Sequence, residues 1–243
     1  MPLAIDTATE LYFYEDLYCR ELEVTITEYG KDEKFGAYLV FDKTIFHAHG
    51  GGQKGDRGTI RLLEEPYDDC PQEFAITDTR RDKTGKVIHL ISQPLDEQMA
   101  DVTFPGCPAI LNLDWDFRFT QMRLHSAAHL LHVFIERQLG QTIPNPNVSD
   151  LQDDYGLNVY DGGLDMTPDN MPKILQTMNS FLSEGHSIET YSDSTRTGFR
   201  YWKCDEVVIP CGGTHPHNTS EMGDITAEFS VKKGKAKVLF RLA

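Results

Sequence analysis

Two short motifs carry the residue types that bind transition metals. His125 and His129 lie four residues apart in the first, and Cys211 and His215 have the same spacing in the second. Two histidines at positions i and i+4 of a helix project from one face, so a helix alone would preform half of a site. Zinc takes nitrogen and sulfur ligands in tetrahedral geometry. The two motifs therefore predict a zinc site if the fold brings them together.

Each motif also has an ordinary explanation. A His-x-x-x-His pair on an amphipathic helix packs or faces solvent more often than it binds a metal. The second motif strengthens the metal hypothesis, because cysteine and histidine together select zinc over magnesium or calcium. Gly212 and Gly213 have no side chains and would let the backbone bend Cys211 and His215 towards one ion. His132 is interpreted as a packing residue or as one that supports a metal ligand without binding the ion.

The composition narrows the class of protein. The chain has 243 residues, 40% of them hydrophobic, which is enough for one large core or two smaller ones. Its five cysteines are odd in number and scattered, a pattern that does not favour a disulfide framework. No apolar run approaches the roughly 18 residues of a membrane span, and residues 1–6 lack the basic and apolar order of a signal peptide. We therefore expect a cytoplasmic protein with no membrane partner.

The formal net charge of -15 disfavours general binding to nucleic acid, because lysine and arginine supply most non-specific affinity for phosphate. Any RNA contact must then be local. Two groups of basic residues are the candidates: Arg196, Arg200 and Lys203 form the first, and Lys232, Lys233 and Lys235, with Lys237 and Arg241, form the second. Taken alone, such groups are more often solvated faces than RNA sites.

Residues 1–113 have the pattern of β-structure. Period-two alternation and strand propensity predict strands at residues 22–27, 35–41, 74–77 and 87–90, and short strands at this spacing predict a small β-barrel. The glycine-rich segment Gly50–Gly58 permits positive φ angles and close backbone approach. It lacks the Lys-Ser/Thr ending of a Walker loop, and its ordinary explanation is a barrel corner.

The pattern changes after Trp115, and residues 114–243 have the pattern of a second domain. Thr120 is predicted to cap a helix that carries both histidines of the first motif and ends at Gly140. A second helix is predicted from residue 169 or 170 to Gly185. Strands are predicted at residues 157–160, 187–191, 207–209 and 238–242, and residues 143–149 are predicted as an ordered loop. Helices packed on an antiparallel sheet make the predicted fold class α+β.

Four ordered blocks of the sequence carry a family resemblance. They are Gly50–Gln53 with Gly55, Asp56 and Gly58; Asp114–Trp115; Met122–His132; and Cys211–His215. In this order and spacing they resemble the editing region of alanyl-tRNA synthetase. The chain as a whole, including its N-terminal barrel, most resembles the freestanding AlaX-type editing proteins. Asn218–Gly223 is also similar to the segment that follows the last block in that family.

The resemblance implies a hydrolase that deacylates mischarged tRNA in trans, either seryl-tRNA or glycyl-tRNA carrying the alanine acceptor. It also implies that zinc is held by His125, His129, Cys211 and His215, and His215 is expected to be the most replaceable ligand. Whether zinc would activate water or position the substrate stays open. The chain has no nucleotide-binding loop, which predicts that it uses no ATP, and nothing in the sequence indicates an oligomeric state.

The resemblance further implies that the glycine-rich segment lines a substrate pocket through Gly50, Gly51, Gly52 and Gln53. A polar residue after the first helix is expected to recognise a substrate hydroxyl, and Asn145 is our candidate among Gln141, Thr142, Asn145 and Asn147. His47 and His49 depart from the family pattern, in which tyrosine and an acidic or polar residue are commoner. This departure leaves serine and glycine both open as the amino acid removed.

Two other functions are also compatible with the sequence. A zinc-stabilised RNA-binding module would keep the same ligands without catalysing hydrolysis. A metallohydrolase acting on a small ester or amide would use the site without needing the tRNA.

Overall fold

The computed structural model describes residues 9–92, 95, 97–162 and 164–243. These residues pack as two compact units. The first unit contains the described residues up to Gly50 and Lys54–Arg118, and the second contains Gly51–Gln53 and Phe119–Ala243. Residues 1–8, for which the sequence predicts no signal peptide, lie outside the described residues. The boundary between independent domains at residues 113 and 114 stays a prediction.

The first unit contains a closed antiparallel barrel, as predicted. Its elements are β1 (Glu10–Leu11), β2 (Glu21–Asp32), β3 (Gly36–Phe41), β4 (Lys43–Thr44), β5 (Gly58–Leu62), β6 (Glu73–Arg81), β7 (Val87–Ile91), helix α1 (Glu97–Thr103) and β8 (Pro108–Leu113). Among the described residues, the barrel runs in the order β2-β3-β7-β6-β5-β8, while β1 and β4 form a separate parallel pair. Strands β5 and β8 were not predicted from the sequence.

Alternation along the strands fills the barrel with apolar side chains. Val24 and Ile26 on β2 are buried, as are Phe74 and Ile76 on β6. On β2 the register shifts after Ile26, so the next buried position is Tyr29. On β6 the register shifts after Ile76. Such bulges bend a strand, and bending helps a sheet of this size to close.

A fully buried ion pair also belongs to the first unit. Arg118 Nε donates a hydrogen bond to Asp56 Oδ2 at 2.8 Å, and Arg118 Nη2 donates to the same oxygen. Both side chains have no solvent exposure. Arg118 Nη2 also donates to the Ile45 carbonyl oxygen at 2.6 Å, and the His47 backbone N–H donates to Asp56 Oδ2. Burial, reinforced by the Arg118 charge, lowers the pKa of His47 to about 3, so this histidine stays neutral beside the ion pair.

The long helix α2 (Trp115–Leu139) begins in the first unit and continues in the second. Thr120 was the wrong cap, because Asp114 starts the helix: its Oδ1 atom accepts the Phe117 N–H at 3.1 Å. The predicted end at Gly140 is confirmed, since Gly140 has a φ of 65° immediately after the last helical residue. No helix in the described part of the chain has the length and apolar character needed to cross a membrane.

The remaining elements of the second unit combine a helix with two antiparallel sheets. They are β9 (Val148–Leu151), β10 (Gly156–Asp161), helix α3 (Met171–Glu184), β11 (Ile188–Ser192), β12 (Arg200–Cys204), β13 (Val207–Pro210), β14 (Ile225–Lys232) and β15 (Lys235–Leu242). One sheet has the order β14-β15-β10-β9 and the other β11-β12-β13. These elements confirm the α+β fold class. Strands β12 and β14 were not predicted, and the predicted loop at 143–149 ends by entering β9.

Helix α3 follows its sequence signals closely. Asn170 precedes its first turn, Pro172 lies within that turn, and Gly185 ends it with a φ of 82°. Its buried face consists of Met171, Ile174, Met178 and Leu182. This spacing of three and four residues is that of one helix face, and the face packs into the same core as the inner residues of β14 and β15.

Candidate metal centre

The four predicted ligands lie together within the second unit. His125, His129, Cys211 and His215, here called the His/Cys cluster, each offer one ligand atom, and these atoms all lie within 4.8 Å of one another. Cys211 Sγ lies 3.5 Å from His125 Nε2 and 3.3 Å from His215 Nε2. Tetrahedral zinc with bonds of about 2.0–2.3 Å separates its ligand atoms by roughly 3.3–3.8 Å. Both distances from Cys211 Sγ therefore fit a tetrahedral ion.

Helix α2 supplies the first half of the cluster. The rings of His125 and His129 project from one face with their centroids 4.9 Å apart. His129 Nε2 is buried and has no hydrogen-bond partner among the described residues. A buried polar atom without a partner is costly, and a bound cation would satisfy this one.

The segment after β13 supplies the second half. The Cys211 N–H donates to the Arg200 carbonyl oxygen at 2.9 Å, which continues the pairing of β12 with β13. The Gly213 N–H donates to Cys211 Sγ at 3.5 Å. A Cβ atom on Gly213 would lie 2.2 Å from His125 Cε1, a distance that no side chain tolerates. Glycine is therefore needed here for close approach to the histidine.

Gln53 joins the two halves of the cluster. It is fully buried, its Oε1 atom accepts the Thr214 N–H at 3.0 Å, and its Nε2 atom donates to Thr214 Oγ1 at 2.7 Å. Since a backbone N–H can only donate, the amide atom facing it is the oxygen. The same oxygen lies 2.9 Å from His125 Nδ1, so this ring nitrogen must donate. The lone pair of His125 is thereby left on Nε2, the atom that faces Cys211.

Ser126 and Trp202 also contact the cluster, and neither was predicted as a site residue. Ser126 Oγ lies 2.9 Å from His215 Nδ1, which leaves His215 Nε2 facing Cys211. The Trp202 ring is fully buried, with its centroid 5.2 Å from that of His129 and 6.0 Å from that of His215. The alternating pattern of β12 was the available signal, because it turns Trp202 inward between two half-buried neighbours.

Burial sets the protonation states of Cys211 and His129 in the cluster. It raises the pKa of the Cys211 thiol to about 11, although the Gly213 N–H acts in the opposite direction. It lowers the pKa of His129 well below the ordinary value, and nearby His125 and His132 add to this effect. Without a cation, the His129 imidazole and the Cys211 thiol are therefore neutral. A divalent ion would displace the thiol proton and supply the charge that stabilises a thiolate.

Only part of the glycine-rich segment packs in the second unit. Gly50 belongs to the first unit, whereas Gly51, Gly52 and Gln53 belong to the second. Gly52 has a φ of 84°, and a Cβ atom there would lie 2.2 Å from the Ser149 carbonyl oxygen. The Gly52 carbonyl oxygen accepts the Leu151 N–H at 2.9 Å. The segment therefore packs against β9 and holds Gln53 in place.

Replacing Gly52 with alanine is expected to weaken metal binding much more than replacing Gly51. Gly51 has a φ of 59° but nothing within 4 Å of an added Cβ, so Gly51→Ala carries only the backbone strain of about 1–2 kcal/mol. Gly52→Ala adds a backbone collision that must displace Gln53. Zinc titrations and urea unfolding of both variants separate the two effects. Equal metal affinities would show that the Gly52 contact does not position Gln53.

The structure also places the other residues proposed from the sequence. Asn145 is exposed in the loop between α2 and β9. His132 lies outside the cluster: its ring stacks on that of Tyr160, and its Nε2 atom lies 3.7 Å from Glu136 Oε1. Asn147 caps a neighbouring strand end, since its Oδ1 atom accepts the Asp161 N–H at 2.7 Å. A role for Asn145 in substrate binding stays a prediction.

Several of the predicted basic residues face acidic partners. Arg196 pairs with Asp193 at 2.9 Å, Lys203 with Glu189 at 3.7 Å and Lys235 with Asp161 at 2.8 Å. Arg200 Nη1 donates to Ser192 Oγ at 2.7 Å. Lys232 and Lys233 lie at the exposed β14–β15 turn, where Lys233 and Gly234 have positive φ angles. Local pairing reduces the positive charge that these groups present to phosphate.

Comparison with known proteins gives relatives that span both units. The chain is 30% identical over 238 residues to the alanyl-tRNA editing protein AlaX-M of Pyrococcus horikoshii, covering 95% of this chain and 96% of that protein. It is 28% identical over 242 residues to AlaX-L of the same organism, covering 93% and 55%. It is 28% identical over 221 residues to the alanine–tRNA ligase of Opitutus terrae, covering 83% and 22%. No protein-family model matches the chain.

Proposed function

The chain belongs to the AlaX family of alanyl-tRNA editing proteins, and from that membership we propose that it deacylates seryl-tRNA or glycyl-tRNA carrying the alanine acceptor at a zinc site. The observation that carries the zinc proposal is the His/Cys cluster, whose ligand atoms lie within 4.8 Å of one another. Three imidazole nitrogens and one thiolate sulfur form a donor set that selects zinc. The proposed ligands are His125, His129, Cys211 and His215.

Three of the chain's own residues would prepare this site. Gln53 and Ser126 fix the ring orientations of His125 and His215 through the nitrogens that face away from Cys211. Trp202 covers the rings of His129 and His215 with a fully buried indole. When bound, zinc acts as a Lewis acid that polarises a carbonyl or lowers the pKa of water.

The scissile bond makes modest demands on the protein. An ester between an amino acid and the terminal ribose is already activated relative to an amide. The chain needs to hold the ester, admit a water and stabilise a developing oxyanion. Gly51, Gly52 and Gln53, with Gly50 before them, are the proposed lining of the substrate pocket, and Asn145 is the proposed contact to a substrate hydroxyl.

A non-catalytic RNA-binding module is the second candidate, because the cluster offers four ligands. Structural zinc sites have four protein ligands, whereas catalytic sites leave a position open. Hydrolysis at zinc would then require a ligand to exchange, and His215 was expected to be the most replaceable. His215 is fully buried and held by Ser126, so its exchange stays a prediction.

A deacylation panel tests the proposal. Zinc-loaded protein is given alanine-acceptor tRNA charged with serine, glycine or alanine, and a free aminoacyl ester in parallel. We expect hydrolysis of the seryl or glycyl species, with alanyl-tRNA spared. Binding without turnover would support the RNA-binding module. Equal turnover of the free ester and the charged tRNA would instead indicate a small-ester hydrolase.

Replacing Gln53 with methionine is expected to weaken zinc binding by roughly 10- to 100-fold, the usual effect of removing a group that orients a metal ligand. Methionine keeps the volume of the side chain but cannot accept from His125 or bond to Thr214. Gln121→Met is a matched control, since Gln121 is also fully buried in the second unit but donates to the Gln152 carbonyl oxygen. Chelator competition measures affinity. A similar loss in both variants would mean that Gln53 acts on folding alone.

A further inference from the structure

The β11–β12 hairpin carries an exposed aromatic surface. Tyr191 is 41% exposed and Phe199 is 50% exposed. Tyr191 pairs across the strands with Tyr201, and their ring centroids lie 5.5 Å apart. Rings clustered on a surface are a common mark of a binding site, because exposing large apolar groups together is otherwise unfavourable.

An arginine lies over two of the rings of this hairpin. Arg196 Cζ lies 4.5 Å from the centroid of Phe199 and 5.8 Å from that of Tyr201. Its Nε atom donates to Asp193 Oδ2 at 2.9 Å, and its Nη2 atom hydrogen bonds to the Tyr201 hydroxyl. Asp193 also accepts the Thr195 N–H at 2.8 Å and the Tyr201 hydroxyl at 2.9 Å. The cation and rings are therefore ordered before any ligand arrives, which lowers the entropic cost of binding.

The same hairpin is built onto the His/Cys cluster. Side chains alternate between the two faces of β12, so Tyr201 lies on the exposed face and Trp202 faces the rings of His129 and His215. The Arg200 carbonyl oxygen accepts the Cys211 N–H at 2.9 Å. A ligand on the aromatic surface would therefore lie one sheet thickness from the proposed metal site.

The surface chemistry favours unpaired nucleotides over duplex RNA. The chain carries a net charge of -15, and Arg196 and Lys203 face Asp193 and Glu189, so phosphate attraction alone is weak here. Base stacking on aromatic rings and on a guanidinium needs no net positive charge and works with any base. Three rings with a stacked arginine match that requirement.

We propose that the β11–β12 hairpin docks the unpaired 3′ nucleotides of the RNA, with bases stacked on Tyr191, Phe199 and Tyr201 and on the Arg196 guanidinium. This inference rests on the proposed deacylase function and assigns the surface that holds the RNA next to the metal site. The lysines at the β14–β15 turn are not part of this surface.

The test compares binding of intact alanine-acceptor tRNA with binding of the same tRNA lacking its unpaired 3′ nucleotides. The variants are Tyr191→Ala with Phe199→Ala, and Leu63→Ala as a control for loss of an exposed apolar side chain in the first unit, all in zinc-loaded full-length protein. We expect the double variant to bind intact tRNA roughly tenfold or more weakly, with KM raised. Affinity for the truncated tRNA, hydrolysis of a free aminoacyl ester, zinc content and unfolding should stay unchanged.

Three results would overturn the inference. Unchanged affinity for intact tRNA would remove the surface from RNA binding, and an equal loss for both tRNAs would assign it to the duplex. A dimer that the double variant converts to a monomer would assign the surface to a second copy of the chain. If the wild type binds RNA through the hairpin but hydrolyses no charged tRNA, the docking surface stands and the deacylase proposal fails. If the double variant deacylates charged tRNA with an unchanged KM, the deacylase proposal stands and the docking surface fails.

Discussion

Replacing His129 with alanine is expected to reduce zinc content from about one equivalent per chain to a small fraction of that value. Zinc binding to a folded structural site is worth roughly 10–16 kcal/mol, so an even share for one of four ligands corresponds to a loss on the order of 10²–10³-fold in affinity. His129 Nε2 has no hydrogen-bond partner among the described residues that could compensate. Metal analysis after gel filtration and chelator competition measure the effect.

His132→Ala is the matched control for this prediction. It removes an imidazole from the same helix, three residues further on, whose ring stacks on Tyr160 instead of joining the cluster. We expect the control to retain zinc and the His129 variant to be folded but unable to deacylate. Full zinc occupancy in His129→Ala would refute the proposed site. Equal depletion in both variants would point to a general effect on the helix.

Replacing Arg118 with methionine is expected to lower the free energy of unfolding by about 3–5 kcal/mol. The substitution leaves the Asp56 carboxylate fully buried and without its cation. Replacing both partners, as Arg118→Met with Asp56→Asn, should recover part of that loss, because the uncompensated charge is gone and the amide oxygen can still accept the His47 N–H. Urea unfolding followed by circular dichroism gives the three free energies.

The exposed ion pair of the same unit provides the control. Arg57 Nε lies 2.9 Å from Asp114 Oδ2, and the two side chains are 44% and 36% exposed. Arg57→Met should change the free energy of unfolding by no more than about 1 kcal/mol, because solvent screens such pairs. If Arg118→Met cost no more than Arg57→Met, the buried pair would contribute no more than a surface contact. A double variant no more stable than Arg118→Met alone would show that removing the uncompensated Asp56 charge recovers no stability.

Much of the site's local geometry is already present in the sequence. The spacing of His125 and His129 commits both rings to one face of any helix that contains them. Gly140 and Gly185 end their helices because glycine adopts positive φ angles without strain. The alternation at Val24 and Ile26, and at Phe74 and Ile76, marks the inner face of the barrel. Each of these features depends on residues only a few positions apart.

The start of α2 shows where local signals compete. Thr120 and Asp114 are both acceptable caps by residue type, and Thr120 was the predicted cap. The structure places Asp114 at the cap, where its carboxylate accepts the Phe117 N–H and pairs with Arg57. The added turn carries Arg118 into its buried pair with Asp56. The position of the helix start is thus accompanied by the contact between Arg118 and Asp56, which lie 62 positions apart. No local sequence pattern contains that contact.

Only the tertiary structure decides which distant residues meet. Gln53 reaches His125 across 72 positions and Thr214 across 161, and no periodicity in the sequence encodes either contact. The basic groups show the same limit, because Asp193, Glu189 and Asp161 become their neighbours through strand pairing and a hairpin loop. The sequence by itself determined the types and local spacing of the ligands, since helix geometry acts over one turn. Strand register and loop packing determine which residues surround the ligands, because those contacts form only when distant segments of the chain have folded together.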